Sequence, residues 1–265
     1  MKRVLSIAGS DSGGGAGIQA DLKTCAALEC YGMSAITATT AQNTLAVTDI
    51  HEIPPSHVEA QIRAVLDDIG ADAIKTGMLS SASIIDSVAS ALESYSLPPV
   101  VVDPVMISKS GAHLLRPEAV ETMKRRMIPL ATLITPNIPE ALELTGLSLE
   151  SDSRIPSILE ALKALGCACV LLKGGHAESA DSTDYLFDGN SIVSYPAPRI
   201  DTCHTHGTGC TLSTAIACFL ARGETMKDAV QYAKDYLTGA IAHSETLRVG
   251  KGTGPVHHGW REGRL

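Results

Sequence analysis

The chain has 265 residues, of which 45% are hydrophobic and 19% charged, a balance that suits a folded core and excludes an intrinsically disordered protein. Its formal net charge of -8 makes nucleic acid and anionic membrane unsuitable partners. No apolar run is long enough to span a membrane, and the short apolar stretch that follows Met1-Lys2-Arg3 does not have the length of a signal peptide.

The domain organisation follows from the length and from the absence of repeats. We expect residues 1–265 to form a single α/β domain, because no linker or low-complexity tract interrupts the chain. Aromatic residues make up 3%, so the core must consist of small aliphatic side chains, which suit parallel strands covered on both faces. The 7 cysteines include no CxxC pair, which argues against a disulfide framework and favours a reducing, cytoplasmic location.

Short β-branched runs alternate with amphipathic helical stretches along most of the chain. The predicted strands are, in chain order, Val4–Ala8, Met33–Thr40, Ala73–Thr76, Val100–Val102, Leu133–Thr135 and Cys169–Leu172. Between the second and third strands, Val58, Ile62 and Ile69 fall on one helical face, and Ser56 with Glu59 predicts a capping box at the start of that helix. Alternating strands and helices predict a mostly parallel sheet with right-handed crossovers.

Two further signals complete the sheet and its cover. An apolar stripe from Ile84 to Tyr95 has helical spacing and predicts a helix after the third strand. The segments Tyr185–Phe187 and Ile192–Tyr195 flank Asp188-Gly189-Asn190, which is a hairpin signal. We therefore expect a small antiparallel edge on the parallel sheet.

The last part of the chain predicts two helices and an irregular tail. One strongly apolar helix opens at Gly207, and a second opens near Thr225, which has Asp228 three residues on as in an N-terminal capping motif. The segment from Lys251 is rich in Gly and His and is predicted to be irregular.

Polar, charged and glycine residues follow each predicted strand. They are Gly9 to Gly17, Ala41-Gln42-Asn43, Gly77-Met78, Asp103-Pro104-Val105-Met106, Pro136-Asn137 with Glu140, and Lys173-Gly174-Gly175-His176. In open α/β sheets, ligands bind outside the carboxyl ends of the strands. These residues therefore predict one active-site cleft along a single edge of the sheet.

The glycine-rich loop after the first strand has more than one interpretation. Gly15, Gly17 and Ala20 match the dinucleotide fingerprint, but the second strand ends in Thr39-Thr40-Ala41-Gln42 without the acidic residue that this fingerprint requires. The loop also lacks the lysine of a P-loop. It serves either as a tight strand-to-helix turn or as a close backbone approach to a substrate.

The segment Thr205 to Thr211 opens the apolar helix at Gly207. Free main-chain N–H groups and the helix dipole favour an anion there, and the glycines let a phosphate approach the backbone. Cys210 falls in the first turn, where we expect a lowered thiol pKa. The alternative is an ordinary core cysteine at a helix start.

Several single residues are candidates for phosphate or metal chemistry. Lys173 ends an apolar strand and fits a phosphate-binding cation, or else a solvated strand-end lysine. Asp103 and Glu140 suit Mg²⁺, directly or through water, or else act as a turn cap and a solvated helix residue. Lys109 lies on a loop that either closes over phosphates or is simply exposed. Two groups lack the spacing of a zinc centre, namely Cys203-His204-Thr205-His206 and His257-His258.

Taken together, these motifs resemble the hydroxymethylpyrimidine/phosphomethylpyrimidine kinases of thiamine biosynthesis over the whole length and in the same order. The segments that carry the resemblance are Ala8 to Asp11, Gly13 to Asp21, Ala41 to Thr44, Lys75 to Leu79, Asp103 to Met106, Thr135 to Ala141, Lys173 to His176, Thr205 to Thr211 and Gly254 to His258. One departure is visible in Asp201-Thr202-Cys203-His204, where related sequences often carry Asn beside the Thr-His. It lies at the rim of the anion site and puts only details of nucleotide binding in doubt.

The resemblance implies a ribokinase-like, three-layer α/β/α fold with a mostly parallel central sheet and a small antiparallel edge. It also implies two successive ATP- and Mg²⁺-dependent phosphoryl transfers, to the hydroxymethyl group of the pyrimidine and then to the monophosphate, by a cytoplasmic homodimer. The substrate-binding residues that it implies are Gln42, Gly9, Ala16, Asp21, Met78 and Val105. The catalytic and cofactor residues that it implies are Cys210, Gly207, Thr208, Gly209, Lys173 and Asn137, with Asp103 and Glu140 for Mg²⁺.

Three other functions remain as alternatives at this point. Pyridoxal kinase shares the scaffold, although the Gln42 amide can both donate to and accept from an aminopyrimidine edge and so favours the pyrimidine. An NAD-dependent oxidoreductase rests on Gly15, Gly17 and Ala20 and lacks the ribose-binding acid. A non-catalytic nucleotide-binding domain would not need Lys173, Glu140 or Cys210.

Overall fold

The protein is built on one mixed β-sheet, seen in a computed structural model that describes residues 1–107, 114–148, 155–174 and 182–261. The strands are β1 Lys2–Asp11, β2 Cys30–Gln42, β3 Val47–Glu52, β4 Ala73–Thr76, β5 Val100–Val102, β6 Leu133–Ile134, β7 Cys169–Leu172, β8 Asp184–Phe187 and β9 Ile192–Tyr195. Within these residues the strand order is β3-β2-β1-β4-β5-β6-β7-β8-β9. The predicted strands are confirmed, with β1 and β2 extending further than expected.

The sheet is parallel in its centre and antiparallel at both edges. Strands β2, β1, β4, β5, β6 and β7 run parallel, and β8 and β9 form the predicted hairpin. Strand β3 pairs antiparallel with β2 at the opposite edge. This edge strand is partly exposed, and its sequence has few apolar residues: Val47-Thr48-Asp49-Ile50-His51-Glu52. No apolar run therefore predicts it.

Helices cover both faces of the sheet. They are α1 Gly17–Ala27, α2 Pro55–Asp68, α3 Ala82–Leu92, α4 Val120–Thr122, α5 Ile138–Thr145, α6 Ile155–Lys163, α7 Thr208–Ala221 and α8 Met226–Ala242. One core packs α2, α3, α5 and α6 on one face, and a second packs α1, α7 and α8 on the other. This is the three-layer α/β/α architecture expected from the sequence.

Side-chain alternation along the central strands separates the two cores. Val4 belongs to the α7 side and Leu5 to the α3 side, and in β5 Val101 likewise faces away from Val100 and Val102. Because successive residues of a strand point to opposite faces, both sets must be apolar when helices cover both faces. The apolar runs of the sequence have this physical origin.

One predicted helix start is wrong and another is confirmed. Helix α2 begins at Pro55 with Pro54 as N-cap and no side-chain cap, so Ser56 does not cap it. Proline fits the first turn because its missing N–H would have no partner there, and the helix therefore starts before Ser56. At α8 the predicted cap is present, since the Thr225 hydroxyl accepts the N–H of Asp228 at 3.2 Å.

The segment after Lys251 is irregular, as predicted, but it is anchored to the rest of the protein. His206 N–H donates to the Gly254 carbonyl at 3.0 Å, and Val256 is fully buried. Trp260 donates its indole N–H to the Tyr236 carbonyl of α8 at 3.1 Å. The tail therefore packs against the loop that precedes α7.

Candidate active site

A large cleft opens at the carboxyl ends of the parallel strands. The strand order reverses at β1, where β2 lies on one side and β4 on the other, and ligands bind at such switch points in open sheets. The cleft measures about 810 Å³. The predicted site residues that line it are Gly9, Ala16, Gln42, Met78, Asp103, Val105, Asn137, Glu140, Lys173, Gly207, Thr208, Gly209 and Cys210.

Asp21 is the predicted site residue that the structure does not place in the cleft. Its carboxylate is fully buried and pairs with Lys75 Nζ at 2.8 Å. It also accepts hydrogen bonds from the hydroxyls of Ser6 and Thr214. Asp21 therefore joins β1, β4, α1 and α7 beneath the cleft, which does not support direct contact with a substrate. Lys109 and His176 lie outside the described residues.

The amino-terminal end of α7 forms one wall of the cleft. Gly207 is its N-cap in the left-handed region, with φ of 83°. A methyl group on Gly207 would lie 1.9 Å from the Gly15 carbonyl oxygen, so only glycine lets the two loops approach. The first N–H groups of a helix have no intrahelical acceptor, and the helix dipole favours an anion there.

Cys210 lies between the amino-terminal ends of α1 and α7. Burial raises the pKa of its thiol to about 11, and Asp21 and Asp103 add to the shift. Lys75 and a hydrogen bond from the Gly17 N–H act in the opposite direction without cancelling it. The expected lowering of the thiol pKa is therefore wrong, because desolvation and two carboxylates outweigh the helix dipole. Cys210 is a neutral thiol at neutral pH.

A raised pKa has a direct consequence for alkylation of Cys210. We expect the rate of its reaction with iodoacetamide to rise about tenfold per pH unit from pH 7 to about 10, because the thiolate is the nucleophile and stays scarce below a pKa of about 11. Peptide mass spectrometry would follow the modification, with the exposed Cys203 as internal reference. Rapid alkylation that levels off near pH 7 would contradict this assignment.

Lys173 and Asp103, the residues directly after β7 and β5, form an ion pair in the cleft. Lys173 Nζ lies 2.9 Å from Asp103 Oδ1, with 15% and 1% of the two side chains exposed. Burial acts to lower the pKa of Lys173, but Asp103 and Glu140 outweigh it and raise it. A methyl group on Gly209 would lie 3.6 Å from Lys173 Nζ, so the start of α7 faces this cation.

Asn137 and Glu140 cap the start of α5 next to this ion pair. The Asn137 side chain accepts the Glu140 N–H at 2.9 Å, and the Glu140 carboxylate accepts the Asn137 N–H at 2.8 Å. Burial raises the pKa of Glu140 to about 7; Lys173 opposes this shift, and Asp103 adds to it. Glu140 is 6% exposed, so the alternative of a solvated helix residue is wrong, and the carboxylate has this local capping role.

The other end of the cleft has a small, mostly apolar wall with one amide. Gly9 has no side chain because a methyl group there would lie 2.9 Å from Met78 Sδ. Met78 is 8% exposed and is fixed through its carbonyl, which accepts the Thr37 hydroxyl at 2.7 Å. Gln42 and Val105 also line the cleft. This end suits a flat ring with polar groups on one edge.

Sequence reasoning assigned no role to Asp11, which organises the glycine-rich loop. Its carboxylate accepts the N–H groups of Gly13, Gly15 and Ala16 at 2.7, 3.0 and 2.8 Å. It also lies 2.8 Å from Nε2 of His206. The loop is therefore folded around its own aspartate and against α7, and its glycines are accounted for without a dinucleotide. An Asp two residues before a Gly-Gly-Gly run, in Asp11-Ser12-Gly13-Gly14-Gly15, is the signal that indicates such a loop.

A second pair that the sequence did not predict lies at the far end of the cleft. Lys234 of α8 lies 2.7 Å from Asp184 of β8, and Asp184 also accepts the Gly174 N–H at 2.9 Å. The pair thus holds the backbone of Gly174, the residue after Lys173. A lysine within the apolar stripe of α8 was the available signal. Beside this pair the cleft is lined by Pro198, Ile200, Leu237, Thr238 and Ile241.

The described residues hold no cluster of three or more His, Cys, Asp or Glu side chains that could bind a metal. His206 faces Asp11, and His258 Nε2 lies 3.1 Å from the Thr211 hydroxyl. Burial, with neighbouring positive groups, lowers the pKa of His258 to about 3.

In the part of the chain that the structure covers, no helix is both long and apolar enough to cross a membrane.

The family model and the relatives that match this chain include kinases, which agrees with an anion site beside a lysine. A family model described as phosphomethylpyrimidine kinase matches residues 11–257. The hydroxymethylpyrimidine/phosphomethylpyrimidine kinase of Streptomyces coelicolor is 50% identical over 260 residues, which is 98% of this chain and 95% of that protein. The thiamine biosynthesis bifunctional protein ThiED of Geobacter sulfurreducens is 51% identical over 255 residues, and the match covers 96% of this chain and 52% of that longer protein.

Solved structures share the fold over nearly the whole chain. The ADP complex of Bacillus subtilis pyridoxal kinase has a TM-score of 0.91 and 37% identity, and the match covers 99% of both chains. Similarity at this level extends to the arrangement of strands and helices around the cleft.

Proposed function

The chain belongs to the phosphomethylpyrimidine kinase family and is a phosphotransferase; from this we propose that it transfers phosphoryl groups from ATP to 4-amino-5-hydroxymethyl-2-methylpyrimidine and then to the monophosphate, in thiamine biosynthesis. We propose that residues 1–265 form one kinase domain, which acts on a small-molecule substrate. The ADP complex of the structural relative supports a nucleotide as the phosphoryl donor.

One observation carries the proposal: the first turn of α7, the Lys173 ammonium and the Gln42 amide line the same cleft. A phosphoryl group in transfer develops negative charge on its oxygens, which main-chain N–H groups and a nearby cation stabilise. In this proposal Gly207, Thr208, Gly209 and Cys210 form the anion hole. The enzyme then acts mainly by positioning and electrostatics.

The substrate end of the proposal rests on Gln42 and its apolar surroundings. An amide offers both a donor and an acceptor, which match the adjacent amino group and ring nitrogen of an aminopyrimidine. Gly9, Ala16, Met78 and Val105 would enclose the ring. Asp21 would not touch the substrate; it would hold Lys75 beneath the cleft through their ion pair.

The nucleotide end rests on Lys173 and Asn137, which line the cleft, together with Thr208 of the anion hole. Asp103 and Glu140 fit Mg²⁺, because this ion takes one or two carboxylates together with waters and substrate phosphates and needs no larger protein cluster. When bound, Mg²⁺ would neutralise phosphate charge. Burial raises the pKa of Glu140 to about 7, so a bound cation would favour its carboxylate form at neutral pH.

Cys210 is the residue that we place nearest the accepting hydroxyl. With a pKa of about 11 the thiol keeps its proton at neutral pH, so its proposed role is to hold the hydroxyl in line by hydrogen bonding. Phosphoryl transfer through a loose transition state needs little help from a strong base. A covalent role as a thiolate is not part of this proposal.

Pyridoxal is the second candidate substrate, because a pyridoxal kinase has the same fold at a TM-score of 0.91. The deciding experiment incubates the pure protein with Mg-ATP and either hydroxymethylpyrimidine or pyridoxal, and follows ADP and the phosphorylated products. We expect the pyrimidine mono- and diphosphates. Formation of pyridoxal phosphate alone would replace the proposed substrate, and NADH formation from a hydroxy acid without ADP would overturn the kinase assignment.

We also propose a cytoplasmic homodimer. All seven cysteines are free, which suits a reducing compartment. The dimer rests on the family resemblance, and light scattering during gel filtration would measure the mass in solution.

Replacing Lys173 with methionine should lower kcat/KM for ATP about 10- to 100-fold, because the anion hole loses its cation while the amides of α7 remain. Steady-state kinetics at saturating pyrimidine would measure it. Lys124→Met is the matched control, since Lys124 forms an exposed ion pair with Glu121 and should contribute little. Unchanged kcat/KM in Lys173→Met would remove Lys173 from the nucleotide site.

A further inference from the structure

The Gln42 amide lies between two polar partners at the substrate end of the cleft. Its Oε1 is 3.2 Å from the Thr40 hydroxyl, and its Nε2 is 3.4 Å from Nε2 of His206. The hydrogen-bonding capacity of these two partners determines which end of the amide each of them can face.

Thr40 can only accept a hydrogen bond from Gln42. Its hydroxyl proton is used in a 2.9 Å hydrogen bond to the Ser10 carbonyl. A hydroxyl has one proton, so the oxygen that remains towards Gln42 is an acceptor. The atom of Gln42 that faces Thr40 must therefore be the NH₂ group.

His206 cannot accept a hydrogen bond from Gln42. Its Nε2 lies 2.8 Å from Asp11 Oδ2, and three main-chain N–H groups also donate to that carboxylate. Burial acts to raise the pKa of Asp11, but these hydrogen bonds outweigh it and lower it, so Asp11 is a carboxylate. Nε2 of His206 therefore carries a proton, which it donates to Asp11, and it has no lone pair for the Gln42 NH₂ group. The Gln42 atom that faces it at 3.4 Å is therefore the carbonyl oxygen, which shares this proton weakly.

Both neighbours thus require the same orientation of the amide, which a half-turn about the Gln42 Cγ–Cδ bond provides. We propose that Asp11 and His206 are positioning residues that fix the Gln42 amide with its oxygen towards His206 and its NH₂ towards Thr40, and thereby set the enzyme's preference for a ring with an amino group beside a ring nitrogen. This inference rests on the proposed function and names the origin of its specificity.

A fixed amide presents one N–H and one oxygen lone pair to the cleft, with the lone pair on the His206 side and the N–H on the Thr40 side. An aminopyrimidine edge uses both, whereas a ring without the amino group uses one of them. An amide that is free to rotate would discriminate less between rings with and without the amino group, because it could present its N–H and its oxygen in either orientation to any ligand.

The His206 ring is itself held in place by its surroundings. Gly15 leaves room for it, since a methyl group there would lie 2.4 Å from His206 Cδ2. On the main chain, His206 N–H donates to Gly254 at 3.0 Å and its carbonyl accepts the Val256 N–H at 3.4 Å. The Gly-Pro-Val segment of the tail, singled out in the sequence, thus supports the ring that orients Gln42.

The test compares binding of hydroxymethylpyrimidine and its analogue without the 4-amino group, by calorimetry in the absence of ATP. We expect wild-type protein to prefer the amino compound about tenfold or more, and His206→Leu to reduce that preference to about twofold. His206→Gln should retain most of it, because the NH₂ group of glutamine has two protons, one for Asp11 and one for Gln42. Thr40→Val should also reduce the preference, since it removes the acceptor for the NH₂ group.

The ratio of the two dissociation constants separates positioning from general damage. If His206→Leu weakens both ligands equally and keeps the wild-type ratio, the residue is only structural and the inference is overturned. If His206→Leu does not fold, as judged by circular dichroism, Thr40→Val decides in the same way. Wild-type protein that binds both compounds equally would overturn the inference alone, and wild-type protein that binds neither would overturn the proposed function with it.

Discussion

Replacing Cys210 with alanine is expected to lower turnover about 10²- to 10³-fold while leaving ATP binding nearly unchanged. The thiol lies in the first turn of α7, where the Gly17 N–H also points at its sulfur. Removing it would leave the accepting hydroxyl without the group that holds it in line. Turnover is measured with hydroxymethylpyrimidine and Mg-ATP, and nucleotide binding by calorimetry.

Two further variants sharpen the result for Cys210. Cys203→Ala is the control, because Cys203 is exposed and lies outside the cleft, and it should behave as wild type. Cys210→Ser keeps a hydrogen-bonding group and should recover part of the lost turnover. A Cys210→Ala enzyme with wild-type turnover would show that this cysteine only packs the start of the helix.

The buried Lys75–Asp21 pair should have the largest effect on stability. Both side chains are fully buried, and Lys75 Nζ lies 2.8 Å from Asp21 Oδ2. Lys75→Met leaves an uncompensated buried carboxylate, so we expect the free energy of unfolding to fall by about 3–5 kcal/mol. Urea unfolding followed by circular dichroism would measure it.

A matched control exists near the start of the chain. Lys2 forms a 3.8 Å ion pair with Asp72 and is 51% exposed, so Lys2→Met should change the free energy of unfolding by less than about 1 kcal/mol. A similar small change in Lys75→Met would mean that water or a proton compensates Asp21. Burial acts to lower the pKa of Lys75, but Asp21 outweighs it and raises it, which argues for a charged lysine in the folded state.

This ion pair also connects stability with the site. Asp21 belongs to α1, Lys75 to β4, and the Thr214 hydroxyl of α7 donates to Asp21 at 2.7 Å. The elements that carry the glycine-rich loop and the anion hole are thus held from beneath by one charge pair. Breaking the Lys75–Asp21 pair should therefore raise the mobility of the glycine-rich loop and of the loop before α7, because both are attached to elements that this pair joins.

The fold could be predicted largely from local patterns. The β5 run Val100–Val102 and the β7 run Cys169–Leu172 were predicted with their observed ends, since a strand covered on both faces needs apolar residues at every position. Strand β3 was missed because one exposed edge strand carries no such pattern. The start of α2 lies before the predicted capping box, because Pro55 takes a position in the first turn that needs no N–H.

By itself the sequence determined the layer architecture, the edge of the sheet where the cleft lies, and the positions of Gln42, Lys173 and the start of α7. These follow from local periodicity and from residues at strand ends, which nearby chain dictates. The tertiary structure alone decided that Asp21 lies beneath the cleft, that the Cys210 thiol has a raised pKa, and that His206 faces Asp11. Those properties depend on burial and on charges brought together from distant parts of the chain, and no local pattern contains them.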